Sequence, residues 1–205
     1  MFKDRNEAGR MIADKLKGKP YLKDAVVVAI PRGGIVVGKV VSEILNLPFF
    51  SLVIKKISSP QNPELALGAI GNGGVVFWDD RVVENSGLTK KDLASLKKEK
   101  YQQVKERERF LDLKSPNVKN KAAIVVDDGV ATGSTAITAS LILKNLGASK
   151  AVLATPVISS ETHEKLKRYF DDIEYILKPA DFSAVGEFYK NFEQISDEQV
   201  KQLLN

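Results

Sequence analysis

Two acids, Asp127 and Asp128, stand directly behind the apolar run Ala122 to Val126 and directly ahead of Gly129-Val130-Ala131-Thr132-Gly133-Ser134-Thr135. The second string suits a phosphate. A helix N-terminus offers unpaired N–H groups and a positive dipole end, and small hydroxylated residues let an anion come close. The two carboxylates would repel that phosphate if they faced it. A ligand with a phosphate at one end and hydroxyls or a metal ion at the other removes the conflict, and a phosphorylated sugar has that form. Its 5-phosphate would sit on the loop, while Asp127 and Asp128 would accept hydrogen bonds from ring hydroxyls. The plain alternative is a strand-to-helix turn with Asp as cap and Gly for tightness. The whole string in order favours the ligand site.

Two further stretches carry cations or glycines behind apolar runs. Pro31-Arg32-Gly33-Gly34 follows "AVVVAI". Two glycines there allow unusual backbone angles and close approach of an anion, which Arg32 could neutralise. Lys55-Lys56 lies near the end of "FFSLVIKKI". Adjacent residues of an extended chain point to opposite faces, so one of the two lysines is expected to face the site. Gln61, Asn62 and Glu64 in the following polar loop are lesser candidates.

The elements that must position these residues are readable from periodicity. A helix is expected over Asn6 to Lys17, with Ala8, Met11, Ile12 and Leu16 on its buried face and Gly18 as its stop. Ala25 to Ile30 reads as a strand buried on both faces. A helix follows with Ile35, Val36, Val40, Val41 and Ile44 inward, then a second strand over Phe49 to Ile57. "LALGAI" and "VVFWDD" around "GNGG" suggest a hairpin. Thr89 and Asp92 resemble a capping box opening a solvated helix over Lys90 to Phe110, which could also serve as a lid or dimer contact. Next come the strand Ala122 to Val126, a helix over Ser134 to Leu146 stopped by Gly147, and the strand "KAVLATPV". A helix capped by Ser159 or Ser160 and a last buried strand, Ile173 to Lys178, follow. An aromatic irregular segment and a terminal helix close the chain. Strands alternating with helices predict an α/β fold, a mostly parallel central sheet with helices on both faces. The expected organisation is one domain over residues 1–205, with a flexible-loop hairpin and helical insertion at 58–120 and a C-terminal segment at 179–205.

"IVVDDGVATGST" resembles the signature of type I phosphoribosyltransferases: apolar strand, acid pair, then a small phosphate loop containing Thr-Gly. It is not a P-loop, because no Gly-Lys-Ser/Thr ending follows. The resemblance implies displacement of pyrophosphate from C1 of phosphoribosyl pyrophosphate by a nitrogen nucleophile, through a transition state like an oxocarbenium ion. Residues 129 to 135 would bind the 5-phosphate. Pro31 to Gly34, with Lys55 or Lys56, would steady the pyrophosphate, and Asp127, Asp128 and Arg32 become the candidate catalytic residues. In this family the loop after the first strand often holds an unusual cis peptide. The loop beyond Lys56 would close over the substrate, and a hood near the C-terminus grips the base, with Phe182 as the candidate contact. Mg²⁺ is the implied cofactor, carried by substrate oxygens near Asp127 and Asp128 rather than by a protein ligand set. A homodimer is the implied assembly. Relatives that use 6-oxopurines commonly have an acid just before Thr-Gly; here it is Ala131, which disfavours a hypoxanthine or guanine acceptor. The overall layout looks most like a group of phosphoribosyltransferases whose acceptor is unassigned. A non-catalytic regulator that senses phosphoribosyl pyrophosphate or a nucleotide is the alternative.

Composition narrows the remaining classes. The 205 residues contain no cysteine and one histidine, His163, so thiolate sites and multi-histidine metal sites are excluded. His163 is read as a surface residue without a catalytic part, and Trp78 as packing. The net charge of +5 leans toward anionic ligands. Most lysines sit beside acids, however, and no nucleic-acid module is recognisable. The first twenty residues carry charges throughout and do not read as a signal peptide. No apolar run approaches membrane-spanning length, so a cytoplasmic setting is expected.

Overall fold

The short all-apolar runs become the centre of one parallel sheet. The structure, a computed structural model, describes residues 1–63 and 65–204; Glu64 lies outside the described residues. Strands β1 (Ala25–Ala29), β2 (Phe49–Ser51), β6 (Ala122–Val126), β7 (Lys150–Val157) and β8 (Asp172–Leu177) pair in the order β2-β1-β6-β7-β8, all parallel. Every residue of β1 and β6 is buried, as a strand covered on both faces requires. The chain moves outward from β1 to β2 and then returns to the other side of β1 as β6. Winding therefore reverses between β1 and β6, and the carboxyl ends of those strands open a crevice there.

Helices cover both faces. On one, α1 (Arg5–Leu16) and α2 (Gly33–Leu45) set Ile12, Leu16, Val37 and Val41 against Val27, Ile124 and Val152. On the other, α5 (Ser134–Asn145) and α6 (Ser160–Leu166) set Ile137, Leu143 and Leu166 against Val26, Val125 and Leu153. Each such fully buried aliphatic side chain stabilises the fold by roughly 1.5–3 kcal/mol relative to leaving it in water. Asp4 caps α1 and Gly18 ends it with φ +78°. Met11 is not inward but 40% exposed. The face of α2 is also rotated from expectation. Val37, Gly38 and Ser42 are buried with Ile35 and Val41, Val36 and Val40 are half-buried, and Ile44 is 41% exposed.

Phe49 to Ile57 is two strands rather than one. After β2 the chain leaves the central sheet at Leu52 and Val53 and enters β3 (Ile54–Ser58), which pairs antiparallel with β4 (Ala66–Gly71); β4 pairs with β5 (Val76–Trp78) across the Asn72–Gly74 turn. The break is held by the Asn72 side chain, whose Oδ1 accepts the Val53 N–H at 2.9 Å. This small sheet sits between helices. Ala69 and Ile54 face α5, and Ile57 and Ile70 face α4 (Lys90–Leu111), where Val104 is fully buried. Thr89 and Asp92 form the capping box of α4. A short helix, α3 (Asp80–Asn85), precedes it, and α7 (Asp197–Leu204) buries Val200 in the same cluster.

Two expectations at the far edge change. β8 is an edge strand and mostly half-buried; its one buried residue, Glu174, is paired with Lys19. His163 is 8% exposed rather than on the surface, with its ring edge-on to Tyr175 at 5.0 Å. Ser159 is the cap of α6. Among the described residues no helix is long and apolar enough to cross a membrane.

Candidate active site

β1 and β6 are hydrogen-bonded neighbours, so the loops that follow them meet. Ile30 donates to the Val126 carbonyl at 2.9 Å, and Pro31 to Gly34 then folds directly against Asp127 and Asp128. A Cβ built on Gly33 would lie 1.7 Å from Asp128 Oδ2. One on Gly34 would lie 2.8 Å from the Val126 carbonyl and 2.9 Å from Asp127 Cα. The two glycines are thus required by close approach to the acids. Unusual backbone angles are not the reason, since neither has a positive φ. The Pro31–Arg32 peptide is cis.

The acid pair is asymmetric. Asp128 accepts a hydrogen bond from Arg5 Nε on Oδ2 at 2.7 Å, and its backbone carbonyl accepts one from the Tyr189 hydroxyl at 2.6 Å. Asp127 Oδ1 accepts the Asp128 N–H at 2.9 Å. Burial of the Asp127 carboxyl and then the charge of Asp128 beside it push its pKa well above the usual carboxylate range; Lys56 opposes this weakly. Burial raises the Tyr189 phenol, and Asp128 adds to it, so that hydroxyl stays a donor.

Beyond the acids, Val130 bridges in parallel to Ile158, with its N–H on the Val157 carbonyl at 2.8 Å. The hydroxyls of Thr162 and Ser159 both donate to the Ala131 carbonyl, which fastens the loop to the start of α6. Gly133 then turns with φ +77° into α5. Thr132 is exposed, Thr135 half-exposed and Ser134 buried. Among the described residues, side chains cap α1, α4, α6 and α7, whereas none caps α2 or α5, the two helices that begin at the loops, nor the short α3. The first-turn N–H groups of α5 are therefore available to an anion beside Thr132 and Thr135.

The lysines divide as strand alternation requires. Lys56 is on the face of β3 that packs on α5 and is close enough to act on Asp127. Lys55 is on the α4 face, where burial first, and then Arg107, Arg32 and Lys100, lower its pKa. Arg107 of α4 is ion-paired to Asp197 of α7, and its Nε is buried without a partner among the described residues. Burial lowers its pKa, and Arg32 adds to this. Arg32, Lys55 and Arg107 form a cationic group beside the Pro31–Gly34 loop.

Sequence reasoning missed Arg5, Tyr189 as a partner of Asp128, and Arg107. Each is set by a contact with residues far along the chain. Phe182 is half-buried, tilted against Phe188 at 5.3 Å and clustered with Val157 and Val185. Val185 in turn fills the space over Gly129, where a Cβ would come within 2.3 Å of it. A cavity of about 630 Å³ lies elsewhere, between Leu52, Val75, Ile142 and Leu146, and holds none of the sequence-derived site residues. The chemistry sits in the open crevice at the strand ends.

A family pattern described as the phosphoribosyl transferase domain matches residues 4–190. A curated relative from Mycobacterium tuberculosis, whose name assigns it provisionally to the phosphoribosyl transferases, is 36% identical over 207 residues. The alignment takes in 100% of this chain and 46% of that protein, so the chain spans about half the length of the curated relative. The crystal structure of a protein from Thermus thermophilus superposes with a TM-score of 0.83 at 32% identity, covering 99% of this chain and 97% of the other. The purine phosphoribosyltransferase of Pyrococcus horikoshii shares the fold, with a TM-score of 0.52 at 16% identity over 94% and 92% of the two chains. The match over residues 4–190 and the 36% identity place the chain: it belongs to the phosphoribosyl transferase domain family.

Proposed function

We propose that this chain transfers the 5-phosphoribosyl group of phosphoribosyl pyrophosphate to a nitrogen acceptor, a nucleobase being the first candidate, and releases pyrophosphate. The observation that carries the reading is the juxtaposition at the β1–β6 switch point: an uncapped helix N-terminus behind Thr132 to Thr135, two acids beside it, and the Arg32, Lys55 and Arg107 cations across from it. Each part meets one portion of a single elongated substrate.

In the reaction the C1–oxygen bond to pyrophosphate breaks and its electron pair leaves on pyrophosphate. The acceptor nitrogen's lone pair forms the new C1–N bond, and the nitrogen's proton passes to solvent. Positive charge builds on the ribose as the bonds exchange, and the acids beside it stabilise that charge. The cations hold the leaving group, and the 5-phosphate on α5 fixes C1 in line with the acceptor. The donor set fits Mg²⁺ only as an ion borne largely by the substrate. Among the described residues no group of three or more acids or histidines could cage one, and Arg5 takes one oxygen of Asp128. Asp127 and Asp128 Oδ1 would lie near that ion, which would neutralise the leaving pyrophosphate.

Ala131 supports a second reading. No side chain at that position can manage a proton on the acceptor, which suits either a base that needs no such help or a non-catalytic sensor of phosphoribosyl pyrophosphate. Incubating the full chain with phosphoribosyl pyrophosphate, Mg²⁺ and a panel of nucleobases, with pyrophosphate release as readout, separates them. Release with one acceptor supports the transferase. Binding without release for any acceptor supports the sensor, and no binding overturns both.

A further inference from the structure

The Arg5 side chain is 9% exposed, yet it lies at the very start of α1, where a long cation would ordinarily reach into water. It is held on three sides. Nε donates to Asp128 Oδ2 at 2.7 Å, Nη1 donates to the Glu193 carbonyl at 2.8 Å, and the guanidinium lies over the Phe192 ring at 3.9 Å. Asp128 is 13% exposed and is gripped a second time, through its carbonyl, by Tyr189. Gly33 is bare of a side chain in the place where this pair sits. The first turn of α1 and the segment 189–193 thus converge on one carboxylate of the acid pair and leave its neighbour Asp127 alone.

We infer that Arg5 is a positioning residue for the sugar: it ties down Oδ2 of Asp128 and thereby presents Oδ1 in a single orientation toward the ribose hydroxyls. This rests on the phosphoribosyl pyrophosphate reading. A guanidinium suits the task because its planar fork donates in two directions at once while its face stacks on an aromatic ring. Lysine, a point charge on a flexible stem, can keep the ion pair but not the carbonyl bond and the stack together. The Pro31–Gly34 loop and the cationic group do not depend on Arg5 for their charge. Its loss should therefore be felt by ligands with a ribose and not by pyrophosphate alone.

The test is calorimetric binding of phosphoribosyl pyrophosphate and of inorganic pyrophosphate, each with Mg²⁺, to the full chain and to Arg5→Lys, Arg5→Gln and Tyr189→Phe. The wild type binding neither ligand would remove the underlying reading rather than this inference. With the wild type binding both, Arg5→Gln should weaken phosphoribosyl pyrophosphate by about tenfold or more, with pyrophosphate unchanged. Arg5→Lys should recover part of the loss, and Tyr189→Phe should produce a smaller loss of the same kind. Equal loss of both ligands, or no loss of either, overturns the inference. So does an Arg5→Lys protein that fails to fold, because Arg5 would then hold the fold rather than the site.

Discussion

Replacing Gly33 with alanine puts one methyl group where the acid pair meets its support. The new Cβ would lie 1.7 Å from Asp128 Oδ2, 2.4 Å from Asp128 Cγ and 2.8 Å from Arg5 Nε. A tolerated contact begins near 3.0 Å, so the carboxyl must retreat by at least 1.3 Å. If Arg5 does not follow, their 2.7 Å contact opens to as much as roughly 4 Å, beyond hydrogen-bonding reach. Overpacking of this kind costs about 1–3 kcal/mol, and separating a mostly buried ion pair raises the total toward about 3–5 kcal/mol. At roughly 2–4 °C per kcal/mol for a chain of this size, Tm should fall by about 6–20 °C. A displacement near 1 Å in a positioning group lowers a transfer rate by roughly a hundredfold. Scanning calorimetry and pyrophosphate release measure the two effects. Gly87→Ala is the control: its φ of +69° makes alanine strained, but nothing lies within 4 Å and it belongs to the turn between α3 and α4. The reasoning fails if Gly33→Ala matches the wild type in Tm and turnover, or if Gly87→Ala loses turnover as severely.

Asp127→Asn should stabilise the protein at neutral pH. The folded pKa of Asp127 is raised, so the native state holds its proton more tightly than the unfolded chain, and stability declines as pH climbs from the ordinary carboxylate value toward the raised one. The asparagine variant escapes that decline and keeps an oxygen for the Asp128 N–H. It should gain a few degrees of Tm at pH 7.5 over the wild type and little at pH 4, while losing transfer; an equal gain at both pH values would contradict the assignment. Gly133→Ala meets both a φ of +77° and the Thr162 methyl at 2.9 Å. A cost of about 1–3 kcal/mol and weaker ribose 5-phosphate binding are expected, read by thermal shift and titration. Arg107→Gln should weaken pyrophosphate about fivefold, with a smaller loss at 0.5 M salt than at 0.05 M because salt screens the charge of a ligand in an open crevice; unchanged affinity would detach Arg107 from the anion site.

What could be read from the chain follows how local each feature is. β1 and β6 are continuous apolar runs that no exposed strand tolerates, and the acid pair with its loop packs its chemistry into nine consecutive residues. The split of Phe49 to Ile57 is invisible because Leu52 and Val53, where it falls, are both buried and neither Gly nor Pro marks them; the Asn72 side chain that defines the break lies 19 positions away. The inward face of α2 could not be phased because apolar residues occupy nearly all round its first two turns. For Gly33 and Gly34 the expectation of unusual backbone angles fails while that of close approach holds, and the carboxylates they make room for follow a strand almost a hundred residues on. Arg5 and Arg107 were not legible at all: their ion-pair partners are 123 and 90 positions distant, and nothing in their neighbourhoods sets them apart from other surface cations.

The central claim is that one elongated ligand spans the α5 N-terminus, the acid pair and the cationic group. A crystal structure of the full chain with phosphoribosyl pyrophosphate and Mg²⁺ tests it most directly. The account predicts the 5-phosphate on the backbone N–H groups of residues 132–135, ribose hydroxyls within hydrogen-bonding distance of Asp127 and of Asp128 Oδ1, and pyrophosphate against the Pro31–Gly34 loop. A ligand bound with its 5-phosphate among Arg32, Lys55 and Arg107, or seated in the cavity beside Leu146, would contradict it.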